Sequence, residues 1–197
     1  MNGRLVLDLG VQPLANNLLR PEHLSASEPK FPLQMASCTA CWLVQITEIV
    51  PPVTLFTEYL YFSSVSDALL THAREAAERY LREFHLGPRS FVVEAASNDG
   101  YLLKNFVAAS VPCLGIEPAR NIAEVAQGRG IPTLNQFFNS ATARQIASER
   151  GRADLILGNN VFAHAPATND FVAGLAILVK PAGRIVLEFP YACDLIE

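Results

Sequence analysis

The residues best suited to chemistry in this chain stand directly after short apolar runs. Phe91-Val92-Val93 ends in Glu94, and Ser97-Asn98-Asp99-Gly100 follows before a helix-like Tyr101-Leu102-Leu103. A strand, a tight polar loop and a helix start present backbone N–H groups to a nucleotide-like ligand. Asn98 tolerates left-handed backbone angles better than most residues, so it can stand where such loops use glycine. A second run, Cys113-Leu114-Gly115-Ile116, ends in Glu117-Pro118. A carboxylate there accepts two hydrogen bonds from a ribose diol, or serves as an acid at the start of the helix from Ala119. A third run leads to Gln136-Phe137-Phe138, where Phe137 covers an adenine or packs in the core. The fourth, Leu155-Ile156-Leu157, leads through Gly158 to Asn159, Asn160 and then His164. The two asparagines bring amide donors and acceptors to a site mouth, or cap the next helix. His164 carries an imidazole that suits proton transfer near neutrality, or it is structural. His23, His72 and His85 carry no signal that assigns them chemistry.

A different chemistry is offered by Cys38-Thr39-Ala40-Cys41. A C-x-x-C in a short β-type loop is half of a zinc ribbon, in which two such pairs hold the metal through four thiolates. The same spacing serves a redox dithiol, but the βαβ context that reading requires is absent around it. Cys113 and Cys193 lie far from the pair in sequence and read as small buried thiols.

These residues need elements to position them. Residues 1–60 are punctuated by Pro13, Pro21, Pro29, Pro32, Pro51 and Pro52, and read as an irregular module with only short strand-like pieces such as Trp42–Val50. From residue 61 onward the pattern is that of a second domain. Ser64 or Ser66 caps a helix to about Phe84, with Ala68, Leu69, Ala73, Ala76 and Tyr80 as its apolar stripe. Strands at 91–95, 112–117, 131–134, 154–158 and 184–189 then alternate with helices at 101–109, 119–128, 139–149 and 168–179. The strands are short and rich in Val, Ile and Leu, as strands buried on both faces should be. This alternation predicts an α/β fold with a doubly wound parallel sheet and a ligand site at the carboxyl ends of its strands.

Composition narrows the classes further. Half of the 197 residues are hydrophobic and 17% are charged, so a core can be buried. The net charge of −4, without a Lys/Arg block, argues against a nucleic-acid partner. No apolar run approaches the ~20 residues of a membrane-spanning helix. The start, MNGRLVLDLG, lacks the pattern of a signal peptide. The expectation is a soluble cytoplasmic protein without a membrane partner.

Glu94 followed at alternating positions by Ala96, Asn98 and Gly100 overlays the E-x-G-x-G-x-G loop of S-adenosylmethionine-dependent methyltransferases. More broadly, LDLGVQPLANNLL (7–19), CTACWLVQI (38–46), YLYFSSVSDALLTHA (59–73), VVEAASNDGYLLKNF (92–106), GIEPARNIAEVA (115–126), NNVFAHAP (159–166) and LEFPY (187–191) run in one order along nearly the whole chain. Together they resemble the C-methyltransferases that act on nucleotide-linked deoxysugars. The resemblance implies a zinc-ribbon module, with Cys38 and Cys41 as metal ligands, followed by a class I methyltransferase core. It implies that Glu94, Ser97, Asn98, Gly100 and Glu117 hold S-adenosylmethionine, with Asn159 and Asn160 lining the same pocket. Tyr59, Tyr61, Ser63 and Ser64 match the segment that folds over the active site. Tyr59 and His164 match positions that face the sugar, where deprotonation beside a keto group gives an enolate for methyl transfer. Such chemistry needs a base, a donor to the enolate oxygen and a methyl group held in line.

The family carries a first C-x-x-C upstream of the LDLG stretch and continues well beyond LEFPY. The expectation is therefore a chain truncated at both ends relative to its family, with a weakened zinc site and part of the catalytic machinery. Two other readings stand beside it. A non-catalytic module would bind cofactor without turnover. A nicotinamide-dependent oxidoreductase would use Glu117 on its ribose, but the G-x-G-x-x-G fingerprint is missing.

Overall fold

The computed structural model describes residues 3–191, and the chain divides into two compact units, Met1–Tyr61 and Phe62–Glu197. Cys193 lies outside the described residues.

The first unit is more regular than its prolines suggest. Strands β1 (Gly3–Pro13), β2 (Lys30–Cys38) and β3 (Val44–Ile46) form an antiparallel sheet in the order β1-β2-β3, and a short helix α1 (Pro52–Phe56) follows. The expectation of an irregular region was wrong for β1 and β2. Pro32 sits in the central strand opposite Val11, but β3 reaches only Met35–Ser37. Its missing N–H therefore falls where no strand pairs on that side. Register shifts between Leu5/Leu7 and Asp8/Val11, with Gly10 at φ 71°, absorb the irregular alternation of β1. The expected strand at 42–50 shrinks to three residues, because Trp42 adopts φ 62° to close the turn after Cys38.

The second unit has the expected alternation. Helix α2 (Asp67–Glu83) starts at Ser66, whose hydroxyl accepts the Leu69 N–H. Then come β4 (Val92–Ala95), α3 (Leu103–Ala108), β5 (Cys113–Ile116), α4 (Arg120–Gly128), β6 (Thr133–Leu134), α5 (Ser140–Arg150), β7 (Ala153–Asn159), α6 (Thr168–Leu178) and β8 (Val179–Glu188). The five strands β4–β8 form a parallel sheet in the order β6-β5-β4-β7-β8.

Side chains alternate across β4, and the core splits accordingly. Val92 packs with Ala73, Ala77, Tyr80, Leu103, Phe106 and Leu155, which places α2 and α3 on one face. Val93 and Ala95 pack with Ala143, Ile146, Ile156, Phe171 and Leu175, which places α5 and α6 on the other. From β4 the chain steps outward through β5 and β6, then returns to the opposite side of β4 through β7 and β8. The strand order thus reverses between β4 and β7, where open α/β sheets bind ligands. No helix among the described residues is long and apolar enough to cross a membrane.

Candidate functional site

The loop after β4 has an unusual backbone. Ala96, Asn98 and Gly100 take φ values of 54°, 48° and 78°, so every second residue after Glu94 is left-handed. Asn98 was expected to do this; Ala96 was not, because alanine normally avoids that region. The loop is held in place from three directions. Ser97 donates its N–H to the Ile116 carbonyl at 3.2 Å. The Asn98 N–H donates to Glu117 Oε2 at 2.9 Å. Asn98 Oδ1 in turn accepts the N–H groups of Asp99 and Ser63, each at 2.9 Å. Gly100 cannot carry a side chain here, since a Cβ would stand 2.7 Å from Ile131 Cγ1. At Gly115 on β5 a Cβ would strike Ser97 Oγ.

Beneath this loop lie carboxyl groups in an apolar setting. Glu94, Asp99 and Glu117 are all buried. Among the described residues, neither carboxyl oxygen of Glu94 has a hydrogen-bond partner, and the same holds for Ser97 Oγ and Asp99 Oδ1. Burial, and then the charges of Glu117 and Asp99, push the Glu94 carboxyl well above the usual carboxylate range. Glu117 is also raised, chiefly by burial and further by Asp99, but the N–H groups of Ala119 and Asn98 pull the other way. Its Oε1 accepts the Ala119 N–H at 2.9 Å, so Glu117 does stand at the start of α4. Two of about four lone-pair directions on its carboxylate are then used, which leaves acceptor capacity for a ligand diol. Cys113, on β5 beside them, is buried as expected, and desolvation followed by the Glu94 charge raises its thiol to about 11.

Arg129 supplies positive charge to this cluster, and the sequence reading missed it. Its guanidinium reaches Asp99 Oδ2 at 2.9 Å and Ser64 Oγ at 3.1 Å. Asp99 itself was named only as part of the loop, yet it is the loop's buried anchor. A charged residue in a glycine-type loop was the available signal for Asp99; nothing in the sequence pairs it with a residue thirty positions on.

The loop after β7 forms the other lip of the switch point. Asn159 Nδ2 donates to the Tyr101 hydroxyl at 3.3 Å, and Asn160 takes φ 51° with its N–H on the Glu188 carbonyl at 2.7 Å. His164 is exposed, in a 3-10 turn over Phe162–His164. His72, to which no chemistry was assigned, pairs through Nε2 with Glu188 Oε2 at 3.0 Å. Phe137 is 39% exposed, whereas the neighbouring Phe138 is the core ring, edge-on to Phe171 at 4.9 Å.

Tyr59 belongs to the first unit, where its hydroxyl accepts from Asn16 Nδ2 at 3.2 Å and its ring meets Phe56 edge-on. Cys38 closes β2 and Cys41 lies in the turn after it. The Trp42 N–H bonds the Cys38 carbonyl and the Cys38 N–H bonds the Leu43 carbonyl, both at 2.9 Å. N–H groups of Ala40 and Cys41 hold the Cys38 thiol below its usual range, as befits a metal ligand. Among the described residues no third His, Cys, Asp or Glu joins this pair. The donors fit half of a tetrahedral thiolate set.

Comparison with known proteins agrees with both units. Residues 1–56 match the Methyltransf_13 family, described as a "Putative zinc binding domain". C-methyltransferase NovU of Streptomyces niveus is 34% identical over 192 residues, which cover 98% of this chain and 46% of that protein. The chain thus spans about half the length of this curated relative. A solved structure from Methanococcus maripaludis, described as a "putative s-adenosyl-l-methionine-dependent methyltransferase", superposes with a TM-score of 0.53 at 15% identity. That superposition covers 64% of this chain and 59% of the other. The chain is therefore similar to one C-methyltransferase along nearly all of its own length, with a zinc-binding-domain match at its start and a class I methyltransferase fold behind it.

Proposed function

We propose that this chain binds S-adenosylmethionine at the carboxyl ends of β4, β5 and β7, as part of an enzyme that methylates carbon on a nucleotide-linked keto-deoxysugar. The observation that carries the cofactor reading is the left-handed series Ala96, Asn98, Gly100 standing over the orphaned Glu94 carboxyl. The loop's N–H groups are spent inside the protein, but an unsatisfied buried carboxyl calls for a partner that the protein does not supply. The relation to a C-methyltransferase supports carbon as the methyl acceptor.

When bound, S-adenosylmethionine supplies an electrophilic methyl group to a nucleophilic carbon. In this reading Glu94 faces the positive end of the cofactor, while Ser97, Asn98 and Gly100 approach it through their backbone. Glu117 takes the ribose diol with its remaining acceptor sites. Phe137 offers an exposed ring to the adenine, and Asn159 and Asn160 close the pocket from the β7 side. On the sugar, His164 handles the proton removed beside the keto group. Cys38 and Cys41 hold zinc as two of four thiolates, a structural role. The substrate is a small molecule, with no nucleic-acid or membrane partner, and the setting is the cytoplasm.

A second reading, cofactor binding without turnover, stands beside it. Calorimetric titration with S-adenosylmethionine, with NAD in parallel, tests the shared cofactor claim. Binding of S-adenosylmethionine alone supports it; binding of NAD alone, or of neither by a folded chain, sinks it. Methyl transfer to a nucleotide-linked 4-keto-6-deoxyhexose, by this chain and by one extended to the relative's length, separates the two readings.

A further inference from the structure

The floor of the site holds more acid than base, and one of its acids has no internal reason to be charged. Glu117 is stabilised as a carboxylate by two N–H donors, and Asp99 by Arg129. Glu94 has neither, and is fully buried. A carboxylate withdrawn from water without partner or hydrogen bond is among the most costly groups a protein can hold, so such a group takes up a proton instead. The groups around it reinforce this. From β5 it feels Cys113 and Glu117, and from its own loop Asp99, whose cation is spent on the Oδ2 side. Its register neighbour on β7 is Leu157, and α2 contributes Ala73, Ala76 and Ala77 to that face, all apolar.

We infer that Glu94 carries a proton while the site is empty and releases it to solvent when the positively charged end of the ligand settles over the loop. The inference rests on the cofactor reading above and adds the charge rule of the site: a cation enters and a proton leaves. The exchange balances, because the carboxyl O–H bond breaks, its electron pair stays on Glu94 and the proton goes to buffer. Direct contact is not required, since a positive charge within ~4–6 Å already favours the ionised carboxyl. Glu94 is the group that changes. Glu117 is raised too, but two N–H donors oppose that shift where Glu94 has none, and Cys113, raised to about 11, stays a thiol at neutral pH.

The test is calorimetry of the whole chain with S-adenosylmethionine at pH 7, in phosphate, HEPES and Tris, whose ionisation heats differ. The slope of binding heat against buffer ionisation heat counts protons, and about one per ligand is expected. Methylthioadenosine, which lacks both the sulfonium and the ammonium, should bind without proton release. Glu94→Gln should still bind S-adenosylmethionine but release none. As a check that needs no variant, wild-type affinity should rise about tenfold per pH unit below the Glu94 titration. Buffer-independent heat, a flat pH profile, or an unchanged slope in Glu94→Gln would overturn the inference and leave the cofactor reading intact. Failure of a folded chain to bind S-adenosylmethionine at all would remove both.

Discussion

Arg129, at the end of α4, reaches the buried Asp99 carboxyl at 2.9 Å, and through Ser64 the same guanidinium grips the segment that leads into α2. One half-exposed cation thus joins the loop after β4 to the element before it. Two further bonds run in parallel, from the Ser63 N–H to Asn98 and from the Ser64 N–H to Asp99.

Removing this cation should cost stability. Arg129→Met leaves Asp99 buried without its counter-charge, which for a fully buried pair costs about 3–5 kcal/mol. The Arg129 side chain is 48% exposed, and solvent screening reduces that to about 1–3 kcal/mol. Urea unfolding of Arg129→Met against Arg129→Lys is the check. The lysine variant should recover part of the loss, because it keeps the charge but not the grip on both Asp99 and Ser64. Equal stability of the methionine variant and wild type would mean that the bridge is ornamental.

The left-handed series makes opposite predictions at neighbouring positions. Ala96 at φ 54° is strained, so Ala96→Gly removes about 1–2 kcal/mol of backbone cost and returns roughly half of it as unfolded-state entropy. A net gain of up to about 1 kcal/mol is expected in thermal unfolding. Gly100→Ala should lose at least ~2 kcal/mol, since strain at φ 78° adds to a collision with Ile131. If both variants lose stability alike, the loop does not have this backbone.

How much of this was legible in the sequence depended on the range of the interaction. The elements of the second unit declared themselves through apolar runs ended by Glu94, Glu117 and Asn159, because burial on both faces leaves a contiguous mark. Asn98 was readable as a left-handed residue from its own side chain. Ala96 was readable only by analogy with the glycine it replaces, since its conformation is imposed by the bonds around it. The Arg129–Asp99 and Asn159–Tyr101 contacts join residues thirty and fifty-eight positions apart, and neither partner's neighbours announce the other. In the first unit the prolines hid β1 and β2, because whether a proline breaks a strand depends on which side is paired.

Glu94 should also leave a trace in folding stability. Its folded value is raised, so the sign is that of an acid which favours the folded state while protonated. Its contribution is fully present below the unfolded value of about 4.3, and is lost as pH rises toward the raised folded value. Over that window the loss runs at about 1.4 kcal/mol per pH unit. Glu94→Gln lacks the titration, so its stability relative to wild type should climb between about pH 5 and neutrality. Guanidinium unfolding of both proteins across this range measures it. Parallel pH profiles would show Glu94 ionised in the folded chain already.

The last prediction concerns the cysteine pair. N–H donors in the turn after β2 stabilise the Cys38 thiolate, so the pair is prepared for metal before any metal arrives. Two thiolates give only half the usual ligand set, and water or another donor must complete the tetrahedron. Zinc should therefore bind, but far more weakly than at a complete four-thiolate site. Zinc uptake, read by competition with a chromophoric chelator, should vanish in Cys38→Ser and in Cys41→Ser, because a single thiolate holds zinc no better than solvent-exposed cysteine does. It should also fall on acidification, since protons compete for the thiolates, with Cys38 resisting longest. Uptake that survives either serine variant would place the metal elsewhere in the chain and reduce the C-x-x-C turn to a structural knuckle.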